Sequence, residues 1–332
     1  MGIFDFFKKE KSNQQTTNRQ PESNEELYGK AWLLLVDQTK RSEGLSIMRD
    51  LDEKGFIEAS IALAMFEGDQ QKRKALVKKA ADAGNPEGLW EYCGFLPHSF
   101  VPDPEDEEDA LWEKYCLEAA ESGSVDAMNE MGNVFHRRGN YAESMYWYAM
   151  ANAHDHKGGQ VSMAGIARKW TENGSSDEFE EGSPKFDEAR FKCALSYLQI
   201  YSNQKSSTSL DEIVRMVLAG VPIAAYLAGE VFESMSNDEM AYKMYNAISF
   251  ENDPHGLRCL ADMLFAGKGV ERDFPSAIRM YTLAAEKGER GAMFVVGEFT
   301  KNTNKNMAAY WYGVSHTRGY EASLQRLIQL SK

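Results

Sequence analysis

A glycine recurs through this chain at a spacing that only a helical repeat explains. It stands at Gly55, Gly84, Gly123, Gly158, Gly220, Gly288 and Gly319, and Asp253 takes the same place before the clearest unit. All the intervals but one, between Gly158 and Gly220, are the length of one helix-turn-helix unit. Four residues after each anchor stand Ala59, Gly88, Ala127, Ser162, Ala224, Leu257, Ala292 and Ser323, nearly all small. Eight residues on, the series Leu63, Tyr92, Met131, Ile166, Ala228, Ala261, Val296 and Leu327 is wholly apolar or aromatic. Nine residues on, Ala64, Cys93, Gly132, Ala167, Gly229, Asp262, Gly297 and Ile328 are mostly small again. Offsets four and eight share one helical face, and small side chains there let a second helix come close. The register therefore predicts a helix A after each glycine. An aromatic-rich helix B, such as Ala277–Ala285 or Met145–Met150, precedes the next.

The unit from Pro254 to Gly288 is the most complete. Leu260-Ala-Asp-Met-Leu-Phe-Ala leads into Gly267-Lys-Gly-Val270 and Asp273-Phe-Pro275, then Ala277-Ile-Arg-Met-Tyr-Thr-Leu-Ala-Ala285. Asp273 suits an N-cap, Pro275 a first turn and Gly288 a left-handed stop. These residues resemble the Sel-one-like repeat, a relative of the tetratricopeptide repeat, over roughly residues 50 to 330. Asp262 stands where that repeat has Gly, and Met280 where it often has Trp. The resemblance implies an all-α, right-handed solenoid of stacked helix-turn-helix units used for protein–protein contacts. Relatives linked to β-lactam binding carry two cysteines per repeat, a pattern this chain lacks.

The expected organisation follows. Residues 1–24 form a tail, and a polar stretch links its first residues to the rest. Residues 25–54 form two helices that cap the N-terminal end. Residues 55–332 form the solenoid, with a polar and acidic insertion near 171–186 that fills part of the long interval. Composition excludes several classes. Lys plus Arg is 37 and Asp plus Glu is 51, so the net charge of −14 repels nucleic-acid phosphates. No apolar run approaches the ~20 residues of a membrane-spanning helix. Cys93, Cys116, Cys193 and Cys259 form no C-x-x-C pair and are expected as reduced thiols in a cytoplasmic, bacterial protein. His154-Asp-His156 diverge on a helix and have no third ligand nearby, so neither metal nor cofactor is expected.

Three stretches are candidates for contact. By analogy with tetratricopeptide arrays, offsets six and ten face a concave groove, which selects Trp90, Asn129, Asn133, Tyr226, Glu230, Phe294 and Glu298. Aromatics beside amides and carboxylates suit recognition of a protein segment. Asp103, Glu105, Asp106, Glu107, Glu108 and Asp109 read as a helix start, with Asp103 as cap, or as a dock for a basic partner. Ile3, Phe4, Phe6 and Phe7 beside Lys8, Lys9 and Lys11 form a short apolar-basic anchor for a groove or a membrane surface, or simply a tail packed on the solenoid. The leading expectation is a non-catalytic scaffold or adaptor that binds another protein through the concave groove. The alternatives are an immunity or regulatory protein neutralising a basic partner, a peripheral membrane adaptor held by residues 1–11, and a hydrolase with a site assembled only in space.

Overall fold

The computed structural model describes residues 22–153, 163, 165, 207–218, 224–247 and 254–332. The described residues form sixteen helices and no strand. The first group is α1 (Asn24–Leu35), α2 (Arg41–Glu53), α3 (Ile57–Phe66), α4 (Gln70–Asp82), α5 (Pro86–Cys93), α6 (Glu107–Glu121), α7 (Val125–Arg137) and α8 (Tyr141–Ala153). The second is α9 (Ser207–Leu218), α10 (Ala224–Ser234), α11 (Asp238–Asn246), α12 (Pro254–Ala266), α13 (Phe274–Glu286), α14 (Arg290–Thr300), α15 (Lys305–Thr317) and α16 (Ala322–Ser331). Within each group every helix packs on its neighbours in the chain, giving an all-α solenoid. The extra helix expected over Leu210–Ala219 is α9. Residues 1–21 of the tail and the insertion near 171–186 lie outside the described residues.

The anchor glycines do what their spacing demands. Gly55, Gly84, Gly123, Gly288 and Gly319 all take φ between 75° and 102°, the left-handed region where a Cβ is penalised. Each ends a helix B and frees the next residues to start a helix A. Helix starts of both kinds are capped from the sequence itself. Asn85 accepts from the amides of Glu87 and Gly88 at 3.1 and 3.0 Å, Asp273 from Ser276 at 3.1 Å, and Asn304 from Met307 at 3.0 Å. Such caps contribute typically about 1 kcal/mol each.

The small residue nine places after an anchor has a specific partner. A Cβ on Gly132 would lie 2.5 Å from Cδ1 of Tyr148, and one on Gly297 would lie 2.6 Å from Cε1 of Tyr312. Gly229 meets Tyr245 in the same way. A tyrosine of helix B thus lies flat on the glycine of helix A, and its hydroxyl donates to a polar side chain just beyond it. Tyr148 donates to Asn133 Oδ1 at 2.7 Å, Tyr312 to Glu298 Oε1 at 2.6 Å, and Tyr245 to Glu233 Oε2 at 2.9 Å. In the unit with Asp262 in place of glycine, the carboxylate itself accepts from Tyr281. That departure from the repeat pattern keeps the polar contact by other means.

The N-terminal helix pair is not a terminal cap. A cap would leave its outer face in water, yet Tyr28, Trp32 and Leu35 are buried. Helix α15, near the other end of the chain, covers them. Gly29 lies against the backbone of Asn306 and Tyr310, and the Trp32 indole lies on Gly313, with Nε1 2.5 Å from where its Cβ would be. Asn304 Nδ2 donates to Glu26 Oε1 at 2.8 Å. Tyr28 meets Tyr310 edge-on at 5.8 Å between centroids, and Trp32 meets His316 at 5.6 Å. The paired numbers rise together, so α1 runs parallel to α15. Two glycines, one from each helix, permit the close approach. One core accordingly runs from Tyr28 through Tyr226, Tyr245 and Tyr281 to Leu327, and a second fills α5 to α7 around Trp112, Cys116 and Met131.

Candidate functional site

Helix α5 positions the first groove residue. Its Asn85 cap and Pro86 fix the start, and Gly88 lets the helix close on Ala80. Leu89, Tyr92 and Cys93 then face the core, which leaves Glu87, Trp90 and Glu91 at the rim. Trp90 is half-buried. Glu91 pairs with Arg73 Nη2 at 2.6 Å. Glu87 is half-buried too, and burial pushes its carboxyl up to about 7, reinforced by Asp126 and Glu91 and opposed by Arg318 and Arg290. The two arginines come from the far end of the chain. The closure of α1 on α15 has therefore brought the N-terminal and C-terminal arms within electrostatic reach of one another beside Trp90.

The remaining groove residues divide by how far their neighbours already use them. Asn129 is half-buried on α7. Asn133 donates to Glu130 Oε2 at 2.8 Å while accepting from Tyr148, so its amide is committed to the fold. Phe294 is half-buried between Tyr312 and Tyr320, with the Arg326 guanidinium 6.0 Å from its ring centroid. Glu298 receives Tyr312 Oη, Lys301 Nζ at 2.7 Å and Arg326 Nε at 2.7 Å. Against the upward push of burial, those partners hold its carboxyl below the usual carboxylate range.

Tyr226 departs from the expectation of three equivalent aromatic anchors. It is only 4% exposed, and its ring meets the edge of His255 at 4.8 Å and Tyr245 at 6.3 Å. The same offset that leaves Trp90 and Phe294 at the surface places Tyr226 between repeats, because His255 fills the space in front of it. Glu230, one turn further on, is half-buried.

The acidic stretch is a helix start, but not capped by Asp103. The N-cap is Asp106, which accepts from the amides of Glu108 and Asp109 at 3.0 and 3.1 Å. Asp103 instead makes a preceding turn by accepting from Glu105 at 3.0 Å. Asp109 folds back and is buried, accepting from the amides of Ser99 at 2.6 Å and Asp103 at 2.9 Å. Those amides hold its carboxyl below the usual range. Asp103, Glu105, Asp106, Glu107 and Glu108 stay exposed. The anchor residues Ile3, Phe4, Phe6 and Phe7, together with His154 and His156, lie outside the described residues.

One surface escaped the reading of the residues. Phe265, Phe274 and Phe299 form an aromatic patch with Tyr281, the Phe265 ring lying 5.2 Å from Phe274 and 6.0 Å from Phe299. Phe265 is 39% exposed and Phe274 44%. Both flank the Gly267-Lys-Gly-Val turn, so the repeat pattern accounts for their position and hides their exposure.

Among the described residues, no group of three or more His, Cys, Asp or Glu side chains could hold a metal ion, and no helix is long and apolar enough to cross a membrane. Cys93, Cys116 and Cys259 are free thiols, and Cys193 lies outside the described residues. Its hydrogen bond to Cys93, then burial, push the Cys116 thiol far above the ordinary range. Since the thiolate is the reactive form, Cys116 should react slowly. A thiol reagent without reductant should count four thiols in denaturant, with Cys93 and Cys116 slow in the native protein. Fewer than four would reveal a disulfide.

No protein-family model matches the chain, and no curated protein matches it. Two solved structures are similar in fold. One is c5321, a protective antigen present in uropathogenic Escherichia coli strains and displaying an SLR fold. It is 16% identical with a TM-score of 0.38, over 92% of this chain and 79% of that one. The other is a Sel1 repeat protein from Oxalobacter formigenes, also 16% identical with a TM-score of 0.38, over 95% of this chain and 97% of that one. Scores this low say nothing about partners or sites, and the fold rests on the helices themselves. The first of the two structures is described as displaying an SLR fold and the second as a Sel1 repeat protein.

Proposed function

We propose that this protein is a non-catalytic scaffold or adaptor that binds another protein along the groove lined by Trp90, Asn129 and Phe294. The supporting observation is that these three share one offset in three different repeats and stay half-buried at the surface. Repetition converts a local helix face into one extended surface with a large apolar ring at two points along it. Contact with such a surface is chemistry of shape and desolvation rather than of bond making. The partner's face toward α6 is basic in this reading, because Asp103, Glu105, Asp106, Glu107 and Glu108 present their carboxylates to solvent beside a positive helix end. The setting is bacterial and cytoplasmic.

The test is affinity capture of the partner, then calorimetry with variants checked for folding. Trp90→Ala should weaken binding by about thirtyfold, the ~2 kcal/mol of a buried aromatic anchor. Phe294→Ala should do the same to a smaller extent, since Tyr312 and Tyr320 already share its ring. Glu107→Gln should act mainly on the association rate and its salt dependence. Normal binding by both aromatic variants would reject the groove.

A further inference from the structure

We infer that the aromatic patch of Phe265, Phe274 and Phe299 is a docking site whose occupant is the chain's own N-terminal segment, Ile3-Phe4-Asp5-Phe6-Phe7. The patch is chemically apt. Its rings come from α12, α13 and α14 and lie edge-on or tilted to one another, a geometry that accepts further aromatic contacts, and the Arg272 guanidinium lies 5.4 Å from the Phe274 centroid. Two of the three rings are among the exposed large apolar side chains, and contiguous apolar surface of this kind marks an interaction site more than scattered exposure does.

Chain geometry selects the occupant. The described chain begins at Glu22, four residues before Glu26, and Glu26 is bonded to Asn304. Asn304 follows Phe299 by five residues, and a tight turn closes between them, with the Asn304 amide donating to the Thr300 carbonyl at 2.8 Å. The parallel packing of α1 on α15 therefore sets the start of α1 beside Asn304, which itself lies within about 18 Å of Phe299 by chain length. Fourteen residues, 8–21, separate Phe7 from Glu22. A chain of that length spans about 50 Å when extended and averages about 21 Å as a coil. Effective concentration is highest when the average span matches the distance, and for short connections it reaches the millimolar range. Three phenylalanines and an isoleucine held at that concentration outcompete any dilute partner of similar chemistry. The closure that buries Trp32 would thus also set the tail beside its own binding surface.

The experiment uses the full chain with Phe6 replaced by the photoreactive p-benzoylphenylalanine, irradiated at low micromolar concentration and mapped by peptide mass spectrometry. Runs with and without phosphatidylserine vesicles complete it. The expected adducts lie within one chain, on Phe265–Phe274 or beside Phe299, and persist with vesicles. Phe274→Asp, at an exposed position, should cut their yield about tenfold or more without changing helix content. Phe100→Asp, at the more exposed Phe100, should leave it unchanged. Adducts elsewhere in the chain, on a second copy or on lipid, or a yield indifferent to Phe274→Asp, would overturn the assignment.

Discussion

Replacing Gly29 by leucine should open the molecule at the contact between α1 and α15. A side chain at this position runs directly into the backbone of Asn306, and into Tyr310 N at 2.7 Å, so no rotamer of a neighbour can relieve it. Overpacking against side chains typically costs 1–3 kcal/mol. Here the obstacle is backbone, and we expect a loss of about 3 kcal/mol or separation of the helices. Trp32→Ala approaches the same contact by removing an indole that is 1% exposed, with an expected cost of about 3–5 kcal/mol. Both variants should lower the thermal midpoint and elute earlier in gel filtration, because the N-terminal arm is freed from α15. Unchanged midpoint and elution in both would show that α1 is held in place by α2 and α3 alone.

The second large effect lies at Glu289. This residue caps α14 by accepting from the amide of Ala292, and it is buried. Burial would raise its carboxyl, but the His255 imidazole, with Nδ1 3.7 Å from Oε1, the Arg258 guanidinium 3.6 Å from Oε2 and the Ala292 amide overcome that and hold it at about 2, against an ordinary 4.5. Arg258 in turn donates to Asp262 at 2.8 Å, the carboxylate that receives Tyr281. The network therefore ties α12, α13 and α14 together. A carboxyl whose folded value lies below its unfolded value stabilises the fold above the unfolded value. That contribution is lost as pH falls through the folded one. A shift of this size corresponds to about 3 kcal/mol, lost between about pH 4.5 and pH 2. Glu289→Ala should cost a similar amount at pH 7, since it removes one partner of a buried charged group. Its stability should then fall less steeply than the wild type's between pH 4.5 and 2. Parallel pH profiles for the two proteins would show that Glu289 carries no such linkage.

The local architecture was open to inspection in the residues, and the reason is steric. A left-handed φ admits glycine almost alone, so Gly55, Gly84, Gly123, Gly288 and Gly319 mark helix ends wherever they occur. A ring flat on a helix backbone excludes a Cβ, so Gly132, Gly229 and Gly297 mark the helix crossings. The contact of α1 with α15 leaves no comparable trace. Leu27, Tyr28, Ala31 and Trp32 announce that α1 has an apolar face, and periodicity cannot say which distant helix covers it. Tyr226 was misplaced for a related reason. Its offset is that of Trp90 and Phe294, and only the neighbouring His255 turns a surface position into a packed one. In the acidic stretch, composition announced a helix start correctly, while the choice of Asp106 over Asp103 as cap depended on a turn closed by Asp109 that no spacing rule encodes.

The contact of α1 with α15 has a consequence for how the protein is made. Units of a linear repeat array can fold as they leave the ribosome, because each needs only the one before it. Here Glu26 waits for Asn304, 278 positions later. At 5–20 residues per second, roughly 14 to 56 seconds pass before the partner helix is synthesised. Throughout that interval Tyr28 and Trp32 present their rings to solvent. A helix that emerges early is thus among the last to be completed, and translation speed becomes a determinant of yield. Slow codons late in the message should raise the aggregated fraction, and a chaperone that holds aromatic helix faces should lower it.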